Sequence, residues 1–205
     1  MKKLLVAAAI MLAANTSMAR DFATTQANSA LGEGNVITLN KENTFNLSGH
    51  EVKVGDYFPS MILMDESLAN FDTSKNAGKV RVYNVLASVD TPVCVQQVKD
   101  LSQYIAQHNE ELAGIEMLAI SADTAFAQMR FRQQENLEKN FLFLSDSINH
   151  EFGKKTGVQI RELGLLARSI IVVDKNNKII HIQRVPELTT IPDLEKAVSI
   201  AKSKV

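Results

Sequence analysis

Val80-Arg81-Val82-Tyr83-Asn84-Val85-Leu86, followed directly by Ala87-Ser88-Val89-Asp90-Thr91-Pro92-Val93-Cys94-Val95, is the stretch that decides the fold. The first seven residues are rich in β-branched and aromatic side chains, which suit a strand buried in a sheet. Thr91 then offers a hydroxyl to unpaired helix amides, and Pro92 suits the first helical position, where its missing N–H is no loss. The spacing of Val98, Leu101, Tyr104 and Ile105 predicts a helix with one apolar face that ends near His108-Asn109. Cys94 is then its third residue. Free N–H groups and the positive end of the helix dipole favour a thiolate there. The Thr91 hydroxyl has a further option, donation to that thiolate or to a bound oxygen atom.

Downstream, the same alternation continues. Ile115 to Ile120 predicts a buried strand, Ser121-Ala122-Asp123 opens a helix carrying Phe126, Met129 and Phe131, and Asn140 to Leu144 predicts a further strand. A short helix around His150 to Lys155 stops at Gly157. Ser169 to Asp174, a turn at Lys175-Asn176-Asn177-Lys178, and Ile179 to Ile182 predict a hairpin, and Pro192 is expected to start the last helix. Strands alternating with helices and closing in a hairpin and helix imply an α/β protein with a mixed central sheet flanked by helices. Upstream, Val36 to Leu39, Thr44 to Leu47, a Ser48-Gly49 turn and Val52 to Val54 predict an N-terminal β-hairpin.

Met1-Lys2-Lys3, an apolar run from Leu4 to Ala14, and the small residues Ser17 and Ala19 form the pattern of a secretory signal peptide over 1–19. The run is too short to span a bilayer. Residues 20–35, polar and small, predict a flexible N-terminal arm, and 36–205 a single domain. These expectations describe an exported soluble protein, periplasmic or secreted, with no membrane partner. The 22 Lys and Arg residues are matched by 23 Asp and Glu, and that balance gives no footing for nucleic acid. No cofactor or metal motif is present: the four histidines lack ligand spacing, and there is no glycine-rich phosphate loop. Among the histidines, His150 is the one candidate base for a cysteine–histidine hydrolase.

Cys94 is the only cysteine in the 205 residues, so the chain cannot form an internal disulfide. From position alone the thiol reads equally as a small buried hydrophobe or as a reactive group.

Val89-Asp90-Thr91-Pro92-Val93-Cys94 resembles the peroxidatic motif of the peroxiredoxins, and more closely that of the bacterial thiol peroxidase subfamily. Ile120 to Asp123 with Phe126-Ala127-Gln128, the run Asn140 to Phe152 with Gly157-Val158, and Leu166-Ala167-Arg168 followed by Ile171 to Asp174 carry the likeness further. Together with the N-terminal hairpin and the ending Val185-Pro186-Glu187 through Pro192-Asp193, it spans about residues 36 to 203. The resemblance implies a thioredoxin-like fold and reduction of hydrogen peroxide and organic hydroperoxides. It assigns the nucleophile to Cys94, a peroxide-binding hydroxyl to Thr91, and a guanidinium that stabilises the thiolate and the leaving oxygen to Arg168. It also implies a homodimer.

Two positions depart from the resembled pattern. Ala87 stands where the motif has proline, and Arg132 stands where subfamily members carry a resolving cysteine. A single-cysteine cycle then needs an external thiol or a thioredoxin-like reductant. The alternative those departures motivate is a catalytically weakened or inactive peroxiredoxin-like binding or scaffold protein. Arg132 itself is expected to be a surface helical arginine.

Overall fold

The structure is a computed structural model describing residues 21–76 and 78–205, so the expected signal peptide, 1–19, lies outside the described residues. Along the chain, β1 (Thr24–Thr25) precedes β2 (Val36–Leu39), β3 (Asn43–Ser48), β4 (Ile62–Asp65) and β5 (Asn70–Asp72). The Val80 stretch forms β6 (Val80–Val85) and α1 (Pro92–Gln107), and β7 (Ile115–Ser121), α2 (Ala125–Gln134) and β8 (Leu142–Ser145) follow. Next come α3 (Glu151–Thr156), β9 (Gln159–Ile160), β10 (Leu165–Leu166), β11 (Ser169–Val173), β12 (Ile179–Arg184), β13 (Ile191–Pro192) and α4 (Leu194–Lys202).

Seven strands form the main sheet in the order β12-β11-β6-β7-β8-β4-β5. All six residues of β6 are buried, as its composition predicts, because the strand pairs in parallel with β7 on one side and antiparallel with β11 on the other. Asn84 is in register with Ala119, and Ala119 with Phe143, so the three point to one face. Helices α1 and α2 lie on that face: Gln97 of α1 reaches Asn84, and the Phe131 ring of α2 meets Phe143 edge-on at 6.0 Å. On the other face Tyr83 stacks on Phe58 at 4.6 Å and meets Phe152 of α3 at 5.9 Å. The protein is therefore an α/β structure with the mixed central sheet flanked by helices that the sequence predicts, in keeping with the thioredoxin-like fold that the resemblance implies.

The N-terminal hairpin of β2 and β3 forms, but Val52 to Val54 does not extend it. Instead β3 pairs with β9, in a second sheet of order β10-β9-β3-β2. Its turn places Asn40 and Lys41 at φ 56° and 58°. The Glu187 carboxylate holds that turn, accepting from the backbone N–H groups of Asn40 and Lys41 at 2.9 Å each and from the Thr38 hydroxyl at 2.6 Å.

Two other expectations are corrected. Pro192 does not start the last helix: it ends β13, and Asp193 caps α4 by accepting from Lys196 N–H at 2.9 Å. The arm predicted to be flexible over 20–35 is docked through its described part. β1 pairs in parallel with β13, Phe22 exchanges two hydrogen bonds with the Gln96 side chain, and Ser29 N–H donates to Arg184 O at 3.0 Å. Its polar residues serve as partners for groups along β12. Arg184 N–H donates to Asn28 Oδ1, and the buried Arg184 guanidinium to Ala30 O at 2.8 Å. Burial pushes that guanidinium down to about 10.

No helix among the described residues is long and apolar enough to cross a membrane.

Candidate active site

The loop from β6 to α1 delivers Cys94 to the centre of the site. Thr91 adopts extended backbone angles, φ −111° and ψ 138°, as a capping residue does. Its hydroxyl accepts from Cys94 N–H at 3.4 Å and donates to Ser88 O at 3.2 Å. Pro92 occupies the first helical position and Cys94 the third, as the spacing predicts. A further clamp comes from Asp123, expected only to open the next helix. That helix is capped by Thr124 instead, which leaves the Asp123 carboxylate free to accept from Val89 N–H at 2.8 Å and from the Ser88 hydroxyl at 2.9 Å. The loop is thus tied both to its own helix and to the end of β7.

Arg168 arrives from the short connection between β10 and β11, and its Nη1 lies 3.2 Å from Cys94 Sγ. The two residues are 74 apart in sequence, and the pairing of β11 with β6 brings them together. Arg168 also donates through Nη1 to Gln97 Oε1 and through Nε to Leu188 O at 3.3 Å. Among the described residues, the arginines that pair with carboxylates are Arg130, Arg132 and Arg161. Arg168 is fully buried and has no such partner, so the sulfur is the one group beside it that can take a negative charge. A buried guanidinium without an anion is costly, and a thiolate removes that cost.

Cys94, Thr91 and Arg168 therefore share one site, with a difference in detail. Cys94 and Arg168 are in direct contact, whereas the Thr91 hydroxyl is engaged with backbone groups on either side of its own turn. Cys94 is 0% exposed, so a peroxide reaches it only after a local opening of the surrounding chain. Ala87, at the motif's proline position, is buried beside the loop. No hydrogen bond or ion pair joins His150, the candidate hydrolase base, to Cys94. It sits at φ 52° as the residue before α3.

Sequence reading missed Gln97 and Asn84, both buried against the site. The signal was present: Gln97 is a polar residue on the apolar face of α1, three positions after Cys94, and Asn84, like Arg81, is a polar residue within the β-type run of 80–86.

Arg132 is not a surface residue. It is 7% exposed and grips Glu66 with two hydrogen bonds, from Nε at 2.7 Å and from Nη2 at 2.8 Å. It also donates to Phe141 O at 3.0 Å and to Glu138 O, and its guanidinium lies 4.5 and 4.9 Å from the Phe141 and Phe143 ring centroids. A long side chain near the end of a helix is itself buried by partners on the β4–β5 turn and the approach to β8.

The redoxin family model matches residues 53–198. A thiol peroxidase of Halalkalibacterium halodurans is 39% identical over 163 residues, covering 80% of this chain and 95% of that protein. The chain belongs to the thiol peroxidase branch of the peroxiredoxin family. The thiol peroxidase of Bacillus subtilis is 38% identical over 159 residues, covering 78% of this chain and 92% of its own. Among solved structures, a peroxiredoxin-like protein from Aquifex aeolicus superposes with a TM-score of 0.74 at 30% identity, covering 85% of this chain and 99% of that one. A thiol peroxidase from Chromobacterium violaceum, at 20% identity and a TM-score of 0.72, shares the fold over 84% of this chain and all of its own. These relatives make it a thiol peroxidase, a peroxiredoxin-type oxidoreductase, in a family that uses peroxide substrates and thiol reductants.

Proposed function

We propose that Cys94 reduces hydrogen peroxide and organic hydroperoxides and that an external thiol, small or carried by a thioredoxin-like protein, restores it. The observation that supports this most is the buried Arg168 guanidinium, 3.2 Å from the sulfur and without a carboxylate partner among the described residues. In this reading the Cys94 thiolate attacks one peroxide oxygen, the O–O bond breaks, and the departing oxygen leaves as an alcohol or water after taking up a proton. Sulfur is oxidised by two electrons to a sulfenic acid and the peroxide is reduced by two. Arg168 offers N–H donors to the thiolate and then to the developing oxyanion. Thr91 holds the Cys94 N–H and fixes the turn, and its hydroxyl becomes available to peroxide when it leaves Ser88 O.

With one cysteine in the chain, the sulfenic acid condenses with a thiol from outside, releasing water. A second thiol then displaces the mixed disulfide and regenerates Cys94. Arg132, whose guanidinium is taken up by Glu66 and two carbonyls, plays no part in that exchange. The reading includes export to the periplasm or medium, supported by the leader pattern over 1–19, and a homodimer, supported by resemblance.

Stopped-flow oxidation of the protein lacking 1–19, with Cys94→Ser as control and a dimedone-type trap for the sulfenic acid, tests the reading. Oxidation is expected to be far faster than that of free cysteine. A rate equal to free cysteine overturns it.

A further inference from the structure

Behind the Arg168 guanidinium a line of two amides runs into the sheet. Gln97 Oε1 accepts from Arg168 Nη1, while Gln97 Nε2 donates to Asn84 Oδ1 and, at 3.5 Å, to Val85 O. Both amides are buried, Gln97 at 3% exposure and Asn84 at 2%. Their orientation follows from the arginine end. A guanidinium has only donors, so Gln97 must turn its oxygen toward it and its NH2 toward Asn84. Asn84 must then turn its own oxygen toward Gln97, and its Nδ2 is left buried with no partner among the described residues.

An unpaired buried N–H group is a standing cost, and an aliphatic side chain, such as those of Val80, Val82 and Val85 in the same strand, would avoid it. What Asn84 gains is its acceptor for Gln97. That acceptor matters because Asn84 and Gln97 line a cavity of about 480 Å³ with Asp100, Gln103, Tyr104 and Leu194. Space beside Gln97 allows its side chain to swing away, and Asn84 is the side chain that holds it in place.

Resting on the assignment of Arg168 as the thiolate's partner, we propose that Asn84 is a positioning residue for the peroxidase reaction: through Gln97 it holds the Arg168 guanidinium against the Cys94 sulfur. It touches neither the sulfur nor the peroxide.

The test uses three substitutions measured by peroxide stopped-flow and by thiolate absorbance against pH. Asn84→Leu removes the acceptor and is expected to slow oxidation about tenfold. It should also move the thiolate titration to higher pH. Asn84→Asp, which keeps an oxygen toward Gln97, should restore most of the rate. Gln97→Met breaks the same line from the helix side and gives the reading a second route should Asn84→Leu fail to fold. Each is repeated with Arg168→Lys, where the guanidinium is absent. There Asn84→Leu should cause no further loss. If Arg168→Lys alone oxidises at the parent rate, the assignment of Arg168 fails. If Arg168→Lys is slow but Asn84→Leu and Gln97→Met keep the parent rate and titration, only the positioning role fails. If Asn84→Leu slows the Arg168→Lys protein as much as the parent, Asn84 acts through the fold and the inference is overturned.

Discussion

Replacing Arg132 by cysteine would put a thiol back at the position where the resembled subfamily carries its resolving cysteine, and the structure predicts that the first effect is loss of stability. The substitution removes two hydrogen bonds to Glu66, at 2.7 and 2.8 Å, and two more to the carbonyls of Phe141 and Glu138. It also removes a guanidinium packed over two aromatic rings. Breaking one side of a fully buried pair costs about 3–5 kcal/mol. The Glu66 side chain keeps 22% exposure and can be partly rehydrated, which brings the expected cost to about 2–4 kcal/mol. For a protein of this size that corresponds to a fall in Tm on the order of 10 °C. Urea unfolding followed by circular dichroism measures it, and the double substitution with Glu66→Gln gives the coupling, expected at about 1.5 kcal/mol or more. An Arg132→Cys protein with the parent's unfolding midpoint and no coupling to Glu66 would refute the argument. The position is occupied by a scaffold pair, so a two-cysteine cycle cannot be recovered by one substitution without loosening α2.

Other measurements follow from the loops that hold the site. Burial by itself would raise the Glu187 carboxyl, but hydrogen bonds from Thr38, Thr189, Asn40 and Lys41 outweigh it and hold it below the usual 4.5. Between the lowered folded value and 4.5 the unfolded chain binds the extra proton, so this group's stabilisation, complete above that window, is lost as pH falls through it. Glu187→Gln should flatten the acid limb of stability against pH, and an unchanged limb contradicts the assignment. Thr91→Val should lower stability by about 1 kcal/mol through loss of the α1 cap, with Thr91→Ser near the parent in denaturant unfolding. Equal midpoints for the two variants would show that the long 3.4 Å contact contributes nothing.

The stretch from Val80 to Cys94 was readable because each of its signals is local: apolar β-formers, a capping hydroxyl, a proline in the first turn. The hairpin of β11 and β12 was readable for the same reason. Arg168 was different. Its meeting with Cys94 spans 74 residues and depends on the pairing of β11 with β6, so only the likeness to a family pointed to it. Asn84 and Gln97 go unremarked in the sequence, and Arg132 reads as a surface residue, because polarity in a sequence does not tell whether a polar group is buried among partners. The arm escaped for a related reason. A polar residue such as Asn28 suits solvent equally well, and its matching to the backbone of β12 exists only once the sheet has formed. Pro192 reads as a helix start, but the Asp193 cap one residue later and the pairing with Thr25 decide otherwise.

That docked arm has a consequence for how the molecule behaves among its own copies. β12 is the outermost strand on its side of the seven-stranded sheet, and an outer strand offers unpaired N–H and C=O groups to any passing chain. Asn28 and Ser29 occupy such groups at Ile182 and Arg184, and the Gln183 side chain is drawn to the carbonyls of Thr25 and Ala27. The first described residues of the chain thus act as a sealing strip along an adhesive border. Proteolytic clipping near Ala30 would leave the peroxidase chemistry in place and uncover that border, so loss of solubility, rather than loss of turnover, is the damage that a nicked arm would bring first.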